Sequence, residues 1–368
     1  MLRILHTGDI HLDTPFSGID SAQAQVRRNE LRAAFTSMLH YVKCEKIDLL
    51  LIAGDLFDAH FVTRETLVLI KRELEALKCP VVISPGNHDS VGECAVWQKG
   101  VFSDNTYIFT KDTLEHFDFP SLNTRVWGWA FTSNTMDENP LGGHRATEDG
   151  GEGMINLLCA HGDLMPSRRP SCPLSVAELE RFGADYAALG HIHNPREYTD
   201  RIAYCGCLEG RAFDELGVKG ALLVEIDGER ITRKKLRFSK RRYELDELDV
   251  FGASSNTELA EKIRNFIAAK RYGDDTLLRL TLKGEVSPAF SVNAAALESC
   301  SDRVFALKII DETVPMLDVD RLRRDPTLRG ELYRVLEGAL SSTDASERER
   351  ASAALRVGLA AIAGEDIP

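Results

Sequence analysis

The sequence predicts an α/β core whose sheet strands are covered on both faces. Short apolar runs bounded by Gly, Pro or Asp recur through the first half, helical patterns separate them, and 368 residues exceed one small domain. The buried strands are expected at Arg3–Thr7, Asp48–Ala53, Pro80–Ser84, Ile155–Ala160 and Ala184–Leu189. Between them, Glu30–Cys44 carries Leu31, Ala34, Phe35, Met38, Leu39 and Val42 at helical spacing, and Arg64–Leu77 carries Leu67, Ile70, Leu74 and Leu77. Ala203–Cys205, Gly220–Ile226 and Ile231–Phe238 read as further strands, with a hairpin turn at Asp227-Gly228.

A new unit starts near residue 243. Tyr243–Val250 is strand-like, and Ser255 with Glu258 forms a capping-box pattern before a helix bearing Leu259, Ile263, Phe266 and Ile267. Strand-like Leu277–Leu282, a short helix at Ala294–Glu298 and strand-like Val304–Ile310 complete a small α+β domain. From about 316 the tail is helical. Leu328, Leu332, Val335, Leu336 and Ala339 form one stripe, and Ser346 with Glu349 suggests a second cap before Leu355, Leu359 and Ile362. The expected domains are therefore 1–242, 243–315 and 316–368.

Composition excludes several classes. Hydrophobic residues at 43% and charged residues at 28% are ordinary for a soluble globular chain. No apolar run approaches the roughly 20 residues of a membrane helix, and the start, Met1 to His11, lacks a signal peptide's long apolar stretch. A cytoplasmic protein without membrane contact is expected, its eight cysteines kept as thiols and Cys205 and Cys207 serving as packing. The net charge of −12 argues against non-specific nucleic-acid binding by the surface as a whole.

Five clusters carry the chemistry: Asp9-Ile10-His11, Gly54-Asp55-Leu56-Phe57-Asp58, Gly86-Asn87-His88-Asp89, His161-Gly162 and Gly190-His191-Ile192-His193. Each follows a predicted strand, and in an open α/β sheet sites gather at the strands' carboxyl ends. Residues i and i+2 of an extended segment point the same way, so Asp9 with His11, and His191 with His193, can each present two ligands to one side. Carboxylate with imidazole suits Mn, Fe or Zn. So many ligands exceed the needs of one ion, and two divalent ions sharing a carboxylate, with Asp55 as the bridge, satisfy them. His6 is expected as a packed core residue, His40, His116 and His144 carry no expected metal role, and His60 reads as a solvated loop residue.

These clusters resemble the signature of calcineurin-like metallophosphoesterases. The longer stretches Arg3–Leu12, Ala53–Asp58, Gly86–Val91 and Ala188–His193, with Tyr204-Cys205-Gly206 after them, are similar to SbcD-type DNA repair exonucleases, as is the ending Ala363-Gly364-Glu365. The resemblance implies a four-layer sandwich of two mixed β-sheets flanked by helices, a small α+β DNA-capping domain and a helical tail. It implies that Asp9, His11 and His193 hold one ion, that Asn87, His161 and His191 hold the other, and that Asp55 bridges. The ions would be manganese, with iron or zinc as alternatives. His88 would stand beside the scissile phosphate and protonate the leaving oxygen or stabilise developing charge. Asp58 stands where some relatives carry histidine, and an orienting role beside a ligand is expected of it. DNA, an SMC-like coiled-coil ATPase docking on the tail helices, and a homodimer formed near 64–77 and 92–100 are the implied partners.

The acidic balance is the objection to DNA. Local basic concentrations exist at Arg27-Arg28, at Arg168-Arg169, and at Arg230, Arg233, Lys234, Lys235, Arg237, Lys240, Arg241 and Arg242. The last could form a phosphate track or a solvated strand pair. The alternatives are a phosphoesterase for a small nucleotide or phosphate ester, and a non-catalytic structural subunit.

Overall fold

Runs of aliphatic residues too short for a helix, and too apolar for a half-exposed strand, form central strands. In the computed structural model, which describes residues 1–97, 100–164, 171–288 and 290–364, these runs give β1 (Leu2–Thr7), β2 (Leu49–Ile52) and β3 (Val81–Ile83). The chain continues through β4 (Thr106–Ile108), β5 (Glu115–Phe119), β6 (Thr124–Gly128), β7 (Ile155–His161), β8 (Tyr186–Gly190), β9 (Arg196–Glu197) and β10 (Ile202–Tyr204). It then forms β11 (Gly220–Asp227) and β12 (Arg230–Arg237). Two six-stranded sheets result, ordered β12-β11-β1-β2-β3-β4 and β5-β6-β7-β8-β10-β9. Both are mixed: β1 to β4 run parallel with β11 antiparallel to β1, and β6, β7, β8 and β10 run parallel between antiparallel β5 and β9.

Alternation along each strand decides the layers. Ile4, Leu49, Leu51 and Val82 meet Val126, Leu157, Cys159, Tyr186 and Ala188 between the sheets. Their neighbours Leu5, Leu50, Ile52, Val81 and Ile83 face outward. There they pack on Leu31, Phe35, Met38 and Leu39 of α1 (Ser21–Cys44) and on Ile70 and Leu74 of α2 (Arg64–Glu75). On the other flank Leu158, Ala160, Ala187 and Leu189 pack on Leu179 and Phe182 of α3 (Val176–Phe182). This is the four-layer arrangement, and each fully buried Leu or Ile stabilises it by roughly 1.5–3 kcal/mol.

Several sequence expectations need correction. Helix α1 begins at Ser21, not near Glu30, because Asp20 caps it through the amides of Ala22 and Gln23 and because its first turns bury Ala24 and Arg27. Arg27 is fully buried, 2.8 Å from Glu209 and 3.0 Å from Glu30, so it belongs to the interior and not to a basic surface. Strands β4 to β6 and helix α3 had no clear pattern in the sequence. The hairpin turn is Gly228-Glu229, since Asp227 pairs with Arg230 and Gly228 has φ +60°. Among the described residues of 92–100 only the 3-10 turn Ala95–Trp97 is helical; residues 98 and 99 lie outside the described residues, as does Arg168-Arg169.

The chain divides into two compact units. One comprises Met1–Leu245, Tyr272–Arg279 and Arg303–Ala306, and the other comprises Asp246–Arg271, Leu280–Asp302 and the chain from Leu307 onward. A three-stranded sheet is ordered β13 (Arg242–Asp249), β14 (Thr276–Val286) and β15 (Ala306–Pro315). Helix α4 (Asn256–Ala269) is capped by Ser255, which accepts from the Glu258 amide at 3.2 Å, while the Glu258 carboxylate binds the Ser254 amide. A short helix α5 (Ala294–Leu297) follows.

In the tail, α6 (Val319–Arg324), α7 (Leu328–Leu340) and α8 (Ala345–Ala363) enclose Leu322, Tyr333, Leu355 and Leu359. The predicted stripe is corrected in part: Leu332 and Leu336 pack inward as expected, but Leu328 and Val335 are 66% and 72% exposed, and Tyr333 takes the inward place. The second cap is Asp344, which accepts from the Ser346 amide at 2.9 Å, so the helix starts at Ala345. Glu365 lies outside the described residues. Among the described residues no helix is long and apolar enough to cross a membrane.

Candidate metal centre

The five clusters are the loops leaving β1, β2, β3 and β8, together with the last residue of β7. Backbone bonds zip the first two loops together: the Asp9 amide donates to Gly54 O at 3.0 Å, and the Ile10 and His11 amides both donate to Asp55 O at 2.9 Å. Asp9, His11, Asp55 and His191 all have positive φ, at 48°, 51°, 51° and 108°. Asp9 and His11 thus converge through left-handed backbone, not through the extended alternation expected from the sequence. Strain of this kind persists where surrounding structure over-determines it, and clusters at functional sites. Gly54 and Gly86 are required here, since a Cβ on either would run into the His161 imidazole or the Asp55 carboxylate.

The side chains form two groups around one carboxylate. Asp9, His11 and His193 offer ligand atoms that all lie within 4.8 Å of one another, and so do Asp9, Asp55 and His161. In the second group, His161 Nε2 lies 2.9 Å from Asn87 Oδ1 and 3.3 Å from His191 Nδ1. Asp55 Oδ2 is nearly equidistant from both groups, 3.5 Å from His11 Nε2 and 3.4 Å from His161 Nε2. All seven residues named as ligands from the sequence are brought together.

Whether cations fit can be tested from the protons. His11 Nδ1 lies 2.6 Å from Asp58 Oδ1, His193 Nδ1 lies 2.7 Å from Glu215 Oε1, and His161 Nδ1 lies 3.0 Å from Ala53 O. Each acceptor holds the ring proton on Nδ1 and leaves an Nε2 lone pair facing inward. In these tautomers the Nε2 atoms of His11 and His193 face each other at 3.3 Å, with Arg211 Nη2 also 3.3 Å from His193 Nε2. Asp9 Oδ2 and Asp55 Oδ2 are buried without a hydrogen-bond partner among the described residues. Converging lone pairs and orphaned carboxylate oxygens repel one another in a low-dielectric interior unless a cation sits against them. The mixture of imidazole, carboxylate and amide oxygen suits a divalent transition ion.

Electrostatics agree for two of the imidazoles, whereas His193 is raised above its ordinary value despite burial, by the Glu215 carboxylate bonded to it. Burial drives His11 well below its ordinary value and His191 down to about 3, keeping both imidazoles neutral as metal ligands must be. Asp9 is pushed upward by burial, and a divalent cation alongside would reverse that.

His88 and Asp58 sit at the mouth. The His88 ring is half exposed and its Nδ1 is 3.5 Å from Asp58 Oδ1, the oxygen that also holds His11. The His88 amide donates to Asp55 Oδ1 at 2.9 Å, so backbone fixes the bridging carboxylate. His88, Asp58 and Asn87 line a cavity of about 590 Å³ together with Thr14, Phe61 and Arg211. His60 is exposed and lines it too. His6 is the expected core residue, with its ring nitrogens 2.9 Å from Tyr186 Oη and 3.2 Å from Leu189 O.

Three residues escape sequence reasoning. Asp89 accepts from the Gly86 and Leu56 amides, at 2.7 Å each, tying the third loop to the second. Its place beside Asn87 and His88 was the available signal. Glu215 and Arg211 lie beyond the last cluster in a stretch with no motif, and nothing local marks them.

The comparisons agree with this geometry. Residues 2–195 match the family model described as calcineurin-like phosphoesterase. The chain is 27% identical to the uncharacterized metallophosphoesterase YhaO of Bacillus subtilis (strain 168), over 92% of this chain and 90% of that one. It is 24% identical to a subunit of the nuclease SbcCD, the SbcD chain, of Staphylococcus epidermidis (strain ATCC 12228 / FDA PCI 1200), over 72% of this chain and 75% of that one. With more than half its length covered by the family model and the strand-end loops closing on one centre, the chain belongs to the calcineurin-like phosphoesterase family.

Proposed function

We propose that this chain is a dinuclear-metal phosphodiesterase that cleaves DNA as the nuclease subunit of a repair complex, working in the cytoplasm with an SMC-like coiled-coil ATPase. The observation that carries its hydrolytic part is Asp55 Oδ2, buried without a hydrogen-bond partner among the described residues and set between two groups of inward-facing nitrogen and oxygen ligand atoms. Asp9, His11 and His193 would hold one divalent ion, Asn87, His161 and His191 the other, and Asp55 both. Manganese, iron or zinc bound there would supply an activated water and neutralise charge on the phosphoryl oxygens.

The remaining work falls to the chain itself. Asp58 orients His11 for coordination and lies near His88. His88, half exposed on the cavity wall, stands ready to give a proton to the departing oxygen. The strained loops hold these groups fixed before substrate arrives, so little reorganisation is needed.

DNA as the target draws on the relative named as a nuclease subunit and on cations near β12. Arg233, Arg237, Arg241 and Arg242 are ion-paired with Glu197, Asp275, Glu30 and Glu244. Arg230, Lys234, Lys235 and Lys240 have no ion pair among the described residues and remain for phosphate contacts. The 243–315 segment as a DNA cap, the 316–368 tail as the ATPase dock, and a homodimer through α2, where Val68 is exposed, complete the proposal.

The test is incubation with Mn²⁺ and linear duplex, hairpin DNA or a chromogenic phosphodiester, with and without the ATPase. Cleavage of both DNA and the chromogenic diester is expected. Turnover of the chromogenic diester with DNA left intact, even with the ATPase present, would replace DNA by a small ester as substrate. His88→Ala should lower turnover about 10²–10⁴-fold while about two metals per chain are retained.

A further inference from the structure

We propose that Arg211 is a substrate-binding residue of this centre, a fixed guanidinium that takes a phosphate oxygen of the ester as it enters beside His88. The inference rests on the phosphodiesterase proposal and adds to it a contact that no cluster in the sequence announces.

Arg211 is anchored on one side only. Its amide donates to Glu215 Oε2 at 2.7 Å, and its Nε and Nη2 donate to Glu215 Oε1 at 3.2 and 2.9 Å. Tyr243 Oη donates to its carbonyl at 2.9 Å. Nη2 lies 2.8 Å from His193 Nδ1, because both donors turn onto the same Glu215 oxygen. The remaining nitrogen, Nη1, has no hydrogen-bond partner among the described residues, and the side chain forms part of the cavity wall shared with Asn87, Asp58 and His88. Nη1 is therefore the arm of the fork left free, on a side chain that lines the cavity beside the centre.

Charge makes the placement informative. A guanidinium beside His193 repels any cation that His193 holds, and Glu215 only partly cancels this. Such a residue lowers metal affinity unless an anion offsets it. A phosphate diester or its product is that anion, and a planar guanidinium is suited to phosphate oxygen by shape and by its permanent charge. Lysine could not be held by Glu215 in the same forked way.

The experiment compares Arg211→Ala, Arg211→Lys and wild type, all loaded with Mn²⁺. Inorganic phosphate is titrated calorimetrically, the chromogenic diester gives KM and kcat separately, and bound metal is counted. The expected result is phosphate affinity weakened and KM raised about ten- to hundred-fold in Arg211→Ala, with Arg211→Lys recovering part of the loss and metal content unchanged. Phosphate affinity and KM equal to wild type would overturn the assignment. So would loss of one metal in both variants, which would make Arg211 a support for His193 instead. A wild type that binds phosphate through Arg211 yet turns over no diester would sink the phosphodiesterase proposal and leave the anion contact standing.

Discussion

The two halves of the centre hold their imidazoles differently. In the half built on Asp9, His11 and His193, the ring protons are held by carboxylates, Asp58 at 2.6 Å and Glu215 at 2.7 Å. In the half built on Asn87, His161 and His191, the His161 proton is held by the Ala53 carbonyl at 3.0 Å, a backbone group. A carboxylate partner makes an imidazole a stronger ligand and can be removed by mutation, whereas a backbone partner is part of the strand. The first half is thus tunable through side chains distant in sequence. The second is tied to the path of β2 itself and yields only to changes in backbone.

The shared residue gives the largest effect. Asp55→Asn weakens the bridge to both halves, and a fall in diester turnover of about 10³-fold or more is expected, with metal content dropping below one per chain by elemental analysis. Retention of two ions would break the comparison at its root, because Asp55 would then not be common to the halves. Gly54→Ala comes next. The new Cβ meets the His161 ring and must adopt φ +86°, so metal titration should lose the second ion while the first persists. Glu215→Gln is the mildest. It keeps the shape but removes the charge behind His193, and the affinity of one ion alone should fall about 10–100-fold in isothermal titration. An equal weakening of both ions would erase the proposed division.

Legibility in the sequence followed the same line between local and distant. The central strands were readable because strands buried on both faces are continuous apolar runs, as in Leu49–Ile52 and Val81–Ile83. The metal-facing residues were readable because each cluster sits directly after such a strand. Strand β5 (Glu115–Phe119) was not, because its polar and aromatic residues are only partly covered at a sheet edge. The start of α1 was hidden by Arg27, a cation where the pattern called for an apolar residue, satisfied only by Glu209 far along the chain. Glu215 and Arg211 were invisible for the same reason: their meaning lies in His193, and only the fold brings them to it. In the tail, Asp344 and Ser346 are both good caps, and packing around Tyr333 chose the stripe that the periodicity left ambiguous.

The most direct test of a two-ion centre at these strand ends is an anomalous difference map from crystals grown with Mn²⁺, recorded at the manganese absorption edge. Two peaks about 3.5–4 Å apart are predicted, one among Asp9, His11 and His193, the other among Asn87, His161 and His191, with Asp55 touching both. A map with a single peak, or with none inside this ring of residues, would contradict the account.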